Sequence, residues 1–170
     1  EMAASDADFF FLVSTVNFSI SHVGGTGNAN ISEVNKDDAW TAFLWEREDL
    51  INFWDNLGKP VFVLTGDLHN SFAIKVTDRV WEFASGPHNS TNHPLSSEGN
   101  RPNSGDYDSF GRDTEIRWSS FIVNGTPNAW RKRPVYFVVQ VNNVFNNPND
   151  DGDRWVAYKN PQAVFQYFDG

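Results

Sequence analysis

Asp67 and His69 are the residues of this sequence whose types and spacing best fit a chemical site. They follow an uninterrupted hydrophobic run, residues 61–65, and are separated from it by Gly66. Side chains two positions apart in extended backbone point the same way, so this carboxylate and this imidazole would converge. Such a pair can bind a hard or borderline metal ion. We therefore predict metal ligands at Asp67 and His69; the alternative is a capping Asp followed by a surface His.

The run before Asp67 predicts the strand that positions the site. Continuous hydrophobicity over residues 61–65 is typical of a central strand buried on both faces. In an open α/β sheet, ligands bind beyond the carboxyl ends of the strands. Gly66 is predicted to let the backbone turn sharply at that point without steric cost. The motif therefore lies where an α/β fold normally builds a site.

A helix is predicted directly before this strand. Over residues 39–57, apolar side chains recur at three- and four-residue steps, which is the pattern of an amphipathic helix. Asp37 or Asp38 can cap its start, and Gly58 can end it. Residues 86–112 are polar and rich in Pro, Gly and Asn, which predicts a long loop. Further short strands are predicted at residues 9–16, 72–77, 80–85, 134–141, 154–159 and 163–168.

Composition limits the class of protein and its partners. The chain has 170 residues, 15 Phe, 7 Trp and no Cys, which predicts one domain over residues 1–170 with a sizeable core. The absence of Cys excludes disulfides, thiolate zinc sites and a cysteine nucleophile. A net charge of −9 opposes binding to nucleic acid or to an anionic membrane, so we expect neither partner.

Several other residues could contact a ligand. His22 follows the first predicted strand and could reach a substrate or a metal; the alternative is a loop His bonded to the backbone. His88 begins the long polar loop and could line a pocket, or it could lie in solvent. Arg101, Arg112 and Arg117 could bind phosphate oxygens, although three Arg in a polar region are more often ordinary surface charges.

Three stretches carry a resemblance to a known family. Asp38-Ala39-Trp40, Glu46-Arg47 and the run from residue 61 to residue 73, with Gly66-Asp67-Leu68-His69 at its centre, are similar to the C-terminal part of the PhoD-like phosphatases. The resemblance covers residues 9–87 well and the remainder weakly. It implies a metal-dependent phosphoester hydrolase that acts on a phosphoester substrate. A metal ion would also explain how so acidic a chain binds an anion.

The resemblance also implies a fold and a set of residue roles. The fold class is α/β, part of an αββα metallophosphoesterase sandwich with a mixed sheet and few helices. The family binds two metal ions, of which Asp67 would hold calcium and His69 would hold iron. Asn70 would orient a ligand or the phosphate, with His22 as a further catalytic residue and His88 as a substrate-binding residue. Export to the periplasm or the cell exterior is expected by the same resemblance.

The family's earlier motifs are not found in this sequence. They include the Asp that bridges both metals and an Asn-His motif, and they belong to an N-terminal half. We therefore expect the chain to be the C-terminal half of the catalytic domain, to need the N-terminal half as its partner, and to be inactive alone. One alternative is a non-catalytic fragment or module with an incomplete metal site. Another is a carbohydrate-binding β-domain, but most of the Trp residues have the spacing of core positions.

Overall fold

The computed structural model describes residues 1–22, 38–88, 92, 98–99, 101–120, 134–146 and 155–169. Contacts divide the chain into one unit of residues 1–136 with 169–170 and a second unit of residues 137–168. No described helix is long and apolar enough to cross a membrane. The elements are β1 (Phe10–Val13), α1 (Leu44–Asn56), β2 (Val61–Thr65), β3 (Phe72–Lys75), β4 (Val80–Ala84), β5 (Gly105–Asp108), β6 (Asp113–Ser119), β7 (Val135–Asn146) and β8 (Trp155–Asp169), with 3₁₀ turns at Met2–Ala4 and Trp40–Ala42.

The first unit is built on a mixed six-stranded sheet in the order β1-β2-β4-β3-β6-β5. The strands β1, β2 and β4 run parallel, and β3, β5 and β6 pair antiparallel to their neighbours. With α1 as the one α-helix of the described residues, the predicted α/β class with a mixed sheet and few helices is confirmed. The prediction of a loop over 86–112 was wrong at its end, because β5 forms there, and β6 was missed.

β2 is an interior strand, as predicted. It pairs with β1 on one side and β4 on the other, and Val61 and Val63 are 0% and 2% exposed. These side chains pack against Ile51 and Trp54 of α1 in the core. Burial on both faces was predicted wrongly, because burial alternates along β2 between buried and partly buried positions. At β2 the sheet therefore has one fully covered face and one face that is only partly covered.

β1 lies at the edge of the sheet, and this corrects the prediction of a buried strand at residues 9–16. Among the described strands it pairs with β2 alone. Exposure alternates along the strand, with Phe11 at 38% and Val13 at 81%. The apolar run is therefore an edge strand, with Phe10 and Leu12 packed against the core and the alternate side chains exposed.

The helix predicted over residues 39–57 is divided in two. A 3₁₀ turn spans Trp40–Ala42, and the α-helix begins only after Phe43, which has φ −123° and ψ 53°. No side chain caps either segment, so the capping role predicted for Asp38 was wrong, while Asp37 lies outside the described residues. Gly58 ends the helix as predicted, with φ +70° and its N–H bonded to the Asp55 carbonyl at 3.3 Å. Because the Asp38 side chain does not cap a helix, it can take part in another contact.

The second unit is a two-stranded ribbon of β7 and β8. The strands predicted at 154–159 and 163–168 are one continuous strand, and the strand predicted at 134–141 extends to residue 146. The Phe137 ring lies 5.5 Å from the Tyr167 ring and 6.1 Å from the Phe165 ring. Pro161 is tolerated in β8 because a two-stranded ribbon leaves one side of each strand unpaired.

Candidate metal centre

Three parallel strands bring the predicted site residues to one edge of the sheet. Because β1, β2 and β4 run in the same direction, their carboxyl ends meet at a common edge, which we call the C-terminal edge. The segment after β1 leads to His22, the turn after β2 carries Asp67 and His69, and the segment after β4 leads to His88. This is the edge at which open α/β sheets bind ligands.

The turn after β2 has an unusual backbone. Asp67 and His69 adopt φ values of +68° and +60°, a region that residues with a Cβ seldom enter. Leu68 lies between them, buried to 1% exposure, and its N–H donates to the Gly66 carbonyl at 2.8 Å. The prediction of an extended Asp67-to-His69 segment was therefore wrong. So was the turning role given to Gly66, whose φ lies outside the left-handed region.

His22, Asp38 and Asp67 form a tight group at the C-terminal edge. The Nδ1 atom of His22 lies 3.4 Å from Asp38 Oδ1 and 3.6 Å from Asp67 Oδ2. One ligand atom from each of these residues lies within 4.8 Å of the other two. Two ligands bound at about 2.1 Å from one ion lie roughly 3 to 3.5 Å apart. The two separations from His22 Nδ1 are close to this range, so His22 can share an ion with either carboxylate.

The chemistry of these donors also fits a cation. Two carboxylates and one imidazole are ligands for both calcium-like and transition metals. Asp38 Oδ1 is buried, and no hydrogen bond to it is found among the described residues. Two carboxylates this close repel each other unless a positive charge lies between them. His69 does not belong to this group or to another group of three such ligands in the described part of the chain.

A buried carboxylate fixes the segment that carries His22. Glu82 of β4 is fully buried and accepts hydrogen bonds from the Phe18 N–H at 2.7 Å, the Ser19 N–H at 2.7 Å and the Thr65 hydroxyl at 2.9 Å. Burial raises the pKa of Glu82, and these donors oppose that shift. The segment after β1 has no regular structure, so Glu82 supplies the hydrogen bonds that a strand or helix would otherwise provide.

A second set of polar contacts holds the same segment. Arg47 of α1 is 1% exposed and donates to the Ser109 hydroxyl and to its carbonyl, both at 2.8 Å. The Ser109 hydroxyl in turn donates to the Ser19 carbonyl at 2.6 Å. Glu48 neutralises Arg47 at 2.8 Å, and the Arg47 and Arg112 guanidinium groups lower the pKa of Glu48 against a rise caused by its burial. The segment that leads to His22 is thus held at Phe18 and Ser19 by long-range contacts.

Asn70 is buried beside the Asp67–His69 turn. Its Nδ2 donates to Glu98 Oε1, and Glu98 is paired with Arg101 at 2.5 Å between Oε2 and Nε. All three side chains are at most 2% exposed. Burial raises the pKa of Glu98 to about 7, with the Arg101 charge acting in the opposite direction. Asn70 therefore contacts the protein interior, whereas the catalytic role predicted for it stays a prediction.

The remaining candidates have varied surroundings. His88 is exposed, with its Nε2 3.5 Å from the Ser85 hydroxyl. Arg101 is buried against Glu98, which differs from the ordinary surface charge considered for it. Arg112 pairs with Glu48, and Arg117 pairs with Glu115 at 2.6 Å on the surface. The three Arg residues are therefore all engaged by carboxylates.

Asp38, Glu82 and Glu98 are the residues that sequence reasoning missed. Asp38 belongs to the Asp38-Ala39-Trp40 stretch of the family resemblance, and its sequence position predicts only a helix cap. Glu82 offered one signal, a single acid within the otherwise apolar and aromatic strand β4. Glu98 offered none, because it lies in a stretch whose composition is that of a loop.

Comparison with known proteins gives one family. The family model described as PhoD-like phosphatase matches residues 1–128. Searches of curated proteins and of solved structures gave no significant match. The matched part is longer than the 9–87 stretch that carried the resemblance. It lies in the N-terminal part of this chain, and it does not support the prediction that residues 1–170 as a whole form a C-terminal half.

Proposed function

The chain belongs to the PhoD-like phosphatase family, and we propose that it is a metal-dependent phosphoester hydrolase with its metal site at the C-terminal edge of the sheet. The observation that carries the proposal is the group formed by His22, Asp38 and Asp67. These residues come from three separate segments, and their ligand atoms lie within 4.8 Å of one another. The group also lies at the carboxyl end of a central strand, where open α/β sheets bind their ligands.

Within this proposal, different residues bind each of two metal ions. Asp67, Asp38 and His22 would hold one metal ion, and His69 would hold a second; calcium and iron respectively are the metals that the family resemblance favours. When bound, the metal ions would supply positive charge for the phosphate oxygens and would activate water for attack. The chain's own contribution is to position the ligands: Glu82 directly, and Arg47 through Ser109, hold the segment that leads to His22.

The proposal also concerns how the substrate binds. His88 is exposed after β4 at the same edge, so its imidazole is placed for contact with a substrate that approaches from solvent. Net charge supports a need for metal as well: at −9 the chain repels an anionic ester, and ions at the C-terminal edge would reverse the local field. The substrate class is therefore a phosphoester bound by metal ions.

The partly covered face of the sheet supports the proposal that another part of the catalytic domain packs on it. Aromatic side chains of neighbouring strands contact one another there, with Phe11, Phe62 and Phe83 ring centroids 5.4 to 6.2 Å apart, and Trp118 is 39% exposed. In the proposal this chain supplies the later part of the catalytic domain, and the remaining half covers this face as the second sheet of a sandwich. The chain alone would then be inactive. Family resemblance favours a periplasmic or extracellular enzyme.

Kinetics on the complete enzyme test the proposal. Asp67→Asn keeps the side-chain shape and removes one charge, while His69→Ala removes a nitrogen donor. Each change should lower kcat/KM beyond the roughly 10- to 100-fold loss typical of residues that only orient a ligand. The double variant should be no worse than either single one, because both disable one unit.

Asp78→Asn is the matched control. Asp78 is exposed, pairs with Lys75 at 2.6 Å and lies at the β3–β4 turn, away from the C-terminal edge. It should keep wild-type hydrolysis of a nitrophenyl phosphate ester. Wild-type rates in both Asp67→Asn and His69→Ala would remove the proposed site and would favour the non-catalytic module instead.

A further inference from the structure

A buried polar cluster lies directly beside the Asp67–His69 turn. Glu98 and Arg101 are at most 2% exposed and form an ion pair at 2.5 Å. Glu98 also accepts a hydrogen bond from Asn70 Nδ2. Replacing a buried ion pair by apolar residues of similar volume is often neutral or stabilising, so stability alone is a weak reason for two charges here. The cluster therefore calls for a role that apolar packing would not fill.

Arg101 is a rigid anchor for Glu98. Its Nη1 donates to the Pro102 carbonyl at 3.0 Å and its Nη2 to the Ser119 hydroxyl at 3.2 Å. Its guanidinium carbon lies 5.4 Å from the centroid of the Phe72 ring, which is a cation–π contact. With these contacts to β3 and to the end of β6, Arg101 can present Glu98 to Asn70 in one fixed position.

The backbone next to Asn70 needs such support. Left-handed conformations at residues with a Cβ persist only where the surroundings over-determine them, and this turn has two within three residues. On its far side, the Ser71 N–H donates to the Ser120 hydroxyl at 3.0 Å, and the Ser71 hydroxyl donates to the Gly86 carbonyl at 3.0 Å. Asn70, the residue directly after His69, adds a hydrogen bond from its side chain to Glu98.

We infer that Glu98 and Arg101 are positioning residues, which hold Asn70 and thereby keep Asp67 and His69 in the conformation that binds metal. The inference rests on the proposed function, because it assigns the cluster to that metal site. Neither charged side chain reaches solvent, so neither touches a substrate. Their effect passes through the Asn70 amide to the backbone of the turn. Metals are bound more tightly when such outer contacts orient the ligands in advance.

Calcium affinity of the complete enzyme measures this effect. The enzyme is stripped with a chelator and titrated with Ca²⁺ in a calorimeter, with urea unfolding as a separate measure of stability. Glu98→Ala and Asn70→Ala should each raise the Kd for Ca²⁺ by about 10- to 100-fold. The double variant should be no worse than either single one, since both break the same hydrogen bond.

Glu98→Gln is the rescue variant. Its Oε1 can still accept from Asn70 Nδ2, so its Kd should fall between the wild-type value and that of Glu98→Ala. If Glu98→Ala does not fold, the order wild type, Glu98→Gln, Asn70→Ala in rising Kd carries the same test. Glu115→Gln is the control: it removes the same charge and unpairs Arg117 on the surface of β6, and its Kd should match the wild type.

Two results would overturn the inference in different ways. Wild-type Ca²⁺ affinity in both Glu98→Ala and Asn70→Ala, with binding lost in Asp67→Asn, would refute the positioning role and leave the proposed function standing. Wild-type affinity in Asp67→Asn itself would refute the metal site, and the positioning role with it. A purely structural cluster would lower the unfolding midpoint and leave the Kd unchanged.

Discussion

Backbone strain at Asp67 and His69 is the residue-scale feature that bears most directly on the proposed metal site. Left-handed backbone costs a residue with a Cβ roughly 1 to 2 kcal/mol, and the turn has two such residues within three positions. Strain of this kind gathers at active sites and ligand clamps, where surrounding contacts hold it. The ligands of the proposed metal are thus held by their neighbours and not by their own preferences.

Two glycines that flank β2 should respond differently to the same change. Gly58 has φ +70° and open space where an added methyl group would lie, so Gly58→Ala should cost about 1 kcal/mol through backbone strain alone. Gly66 is outside the left-handed region, and an added Cβ would make only ordinary contact with the Thr15 carbonyl at 3.7 Å. Gly66→Ala should therefore leave the free energy of unfolding nearly unchanged in urea titrations. Equal losses in both variants would contradict this view of the turn.

Glu98 should make stability depend on pH. Its pKa is raised by burial from 4.5 to about 7, so the folded protein holds a proton that the unfolded chain releases. A raised pKa of this kind contributes stability that is fully present below pH 4.5 and is lost as pH rises through about 7. Urea unfolding in the presence of a chelator should show wild-type stability falling between pH 5 and 7 relative to Glu98→Gln (about 5 to 7 spans the shift). Parallel pH profiles for the two proteins would contradict the shift.

At the scale of elements, a buried carboxylate accepts the backbone hydrogen bonds of a segment that has no regular structure. The segment after β1 is buried from Asn17 to His22 although it contains no helix or strand. Its backbone donors reach Glu82, and its Ser19 carbonyl accepts from Ser109. The loop can therefore be both irregular and fixed, which is what a metal ligand at its end requires.

Glu82→Gln tests the contribution of that carboxylate. The change keeps the shape but turns an amide donor toward backbone N–H groups, so a buried donor loses its acceptor. Since hydrogen bonds to charged groups contribute about 1.5 to 3 kcal/mol, we expect a loss of ~2 kcal/mol in urea unfolding. Glu115→Gln on the surface should change stability by less than about 0.5 kcal/mol. A Glu82→Gln protein as stable as the wild type would show that Glu82 does not fix the segment.

The elements that could be predicted from the sequence are those with a clear hydrophobic pattern. β2, β3, β4 and α1 could be predicted because their apolar side chains pack on one core with a regular period. β5 could not be predicted, since Gly105-Asp106-Tyr107-Asp108 is mostly polar and becomes a strand only by pairing with β6. The edge position of β1 also depends on pairing, which local pattern does not contain.

The site residues show the same contrast between roles that follow from local sequence pattern and roles that depend on distant residues. Asp67 and His22 were predicted because each follows a strand-like run, and the parallel strands do bring them to 3.6 Å. Asp38 was assigned to a helix cap, since a local motif competes with any role that depends on distant residues. Asn70 looked like a residue facing a ligand, and only the fold reveals its contact with Glu98. Partners far apart in sequence set these roles.

At the scale of the whole molecule, the aromatic face of the sheet departs from an ordinary surface, because large apolar side chains of the described strands are exposed there. We expect the isolated chain to bind a hydrophobic dye through this face, and the complete domain to bind much less. Trp118→Ser and Phe11→Ser should lower the dye signal of the isolated chain with little loss of stability, because both side chains are more than a third exposed. Equal dye binding by the chain and the complete domain would argue that nothing covers the face.

A metal ion at the C-terminal edge is the central claim, and the metal content of the purified complete enzyme tests it most directly. Mass spectrometry should find metal in the wild type and in Asp78→Asn, and at least one equivalent less in Asp67→Asn and in Asp38→Asn. Both ligand variants should remain folded, because each side chain is more than 40% exposed. Wild-type metal content in Asp67→Asn and Asp38→Asn would contradict the central claim.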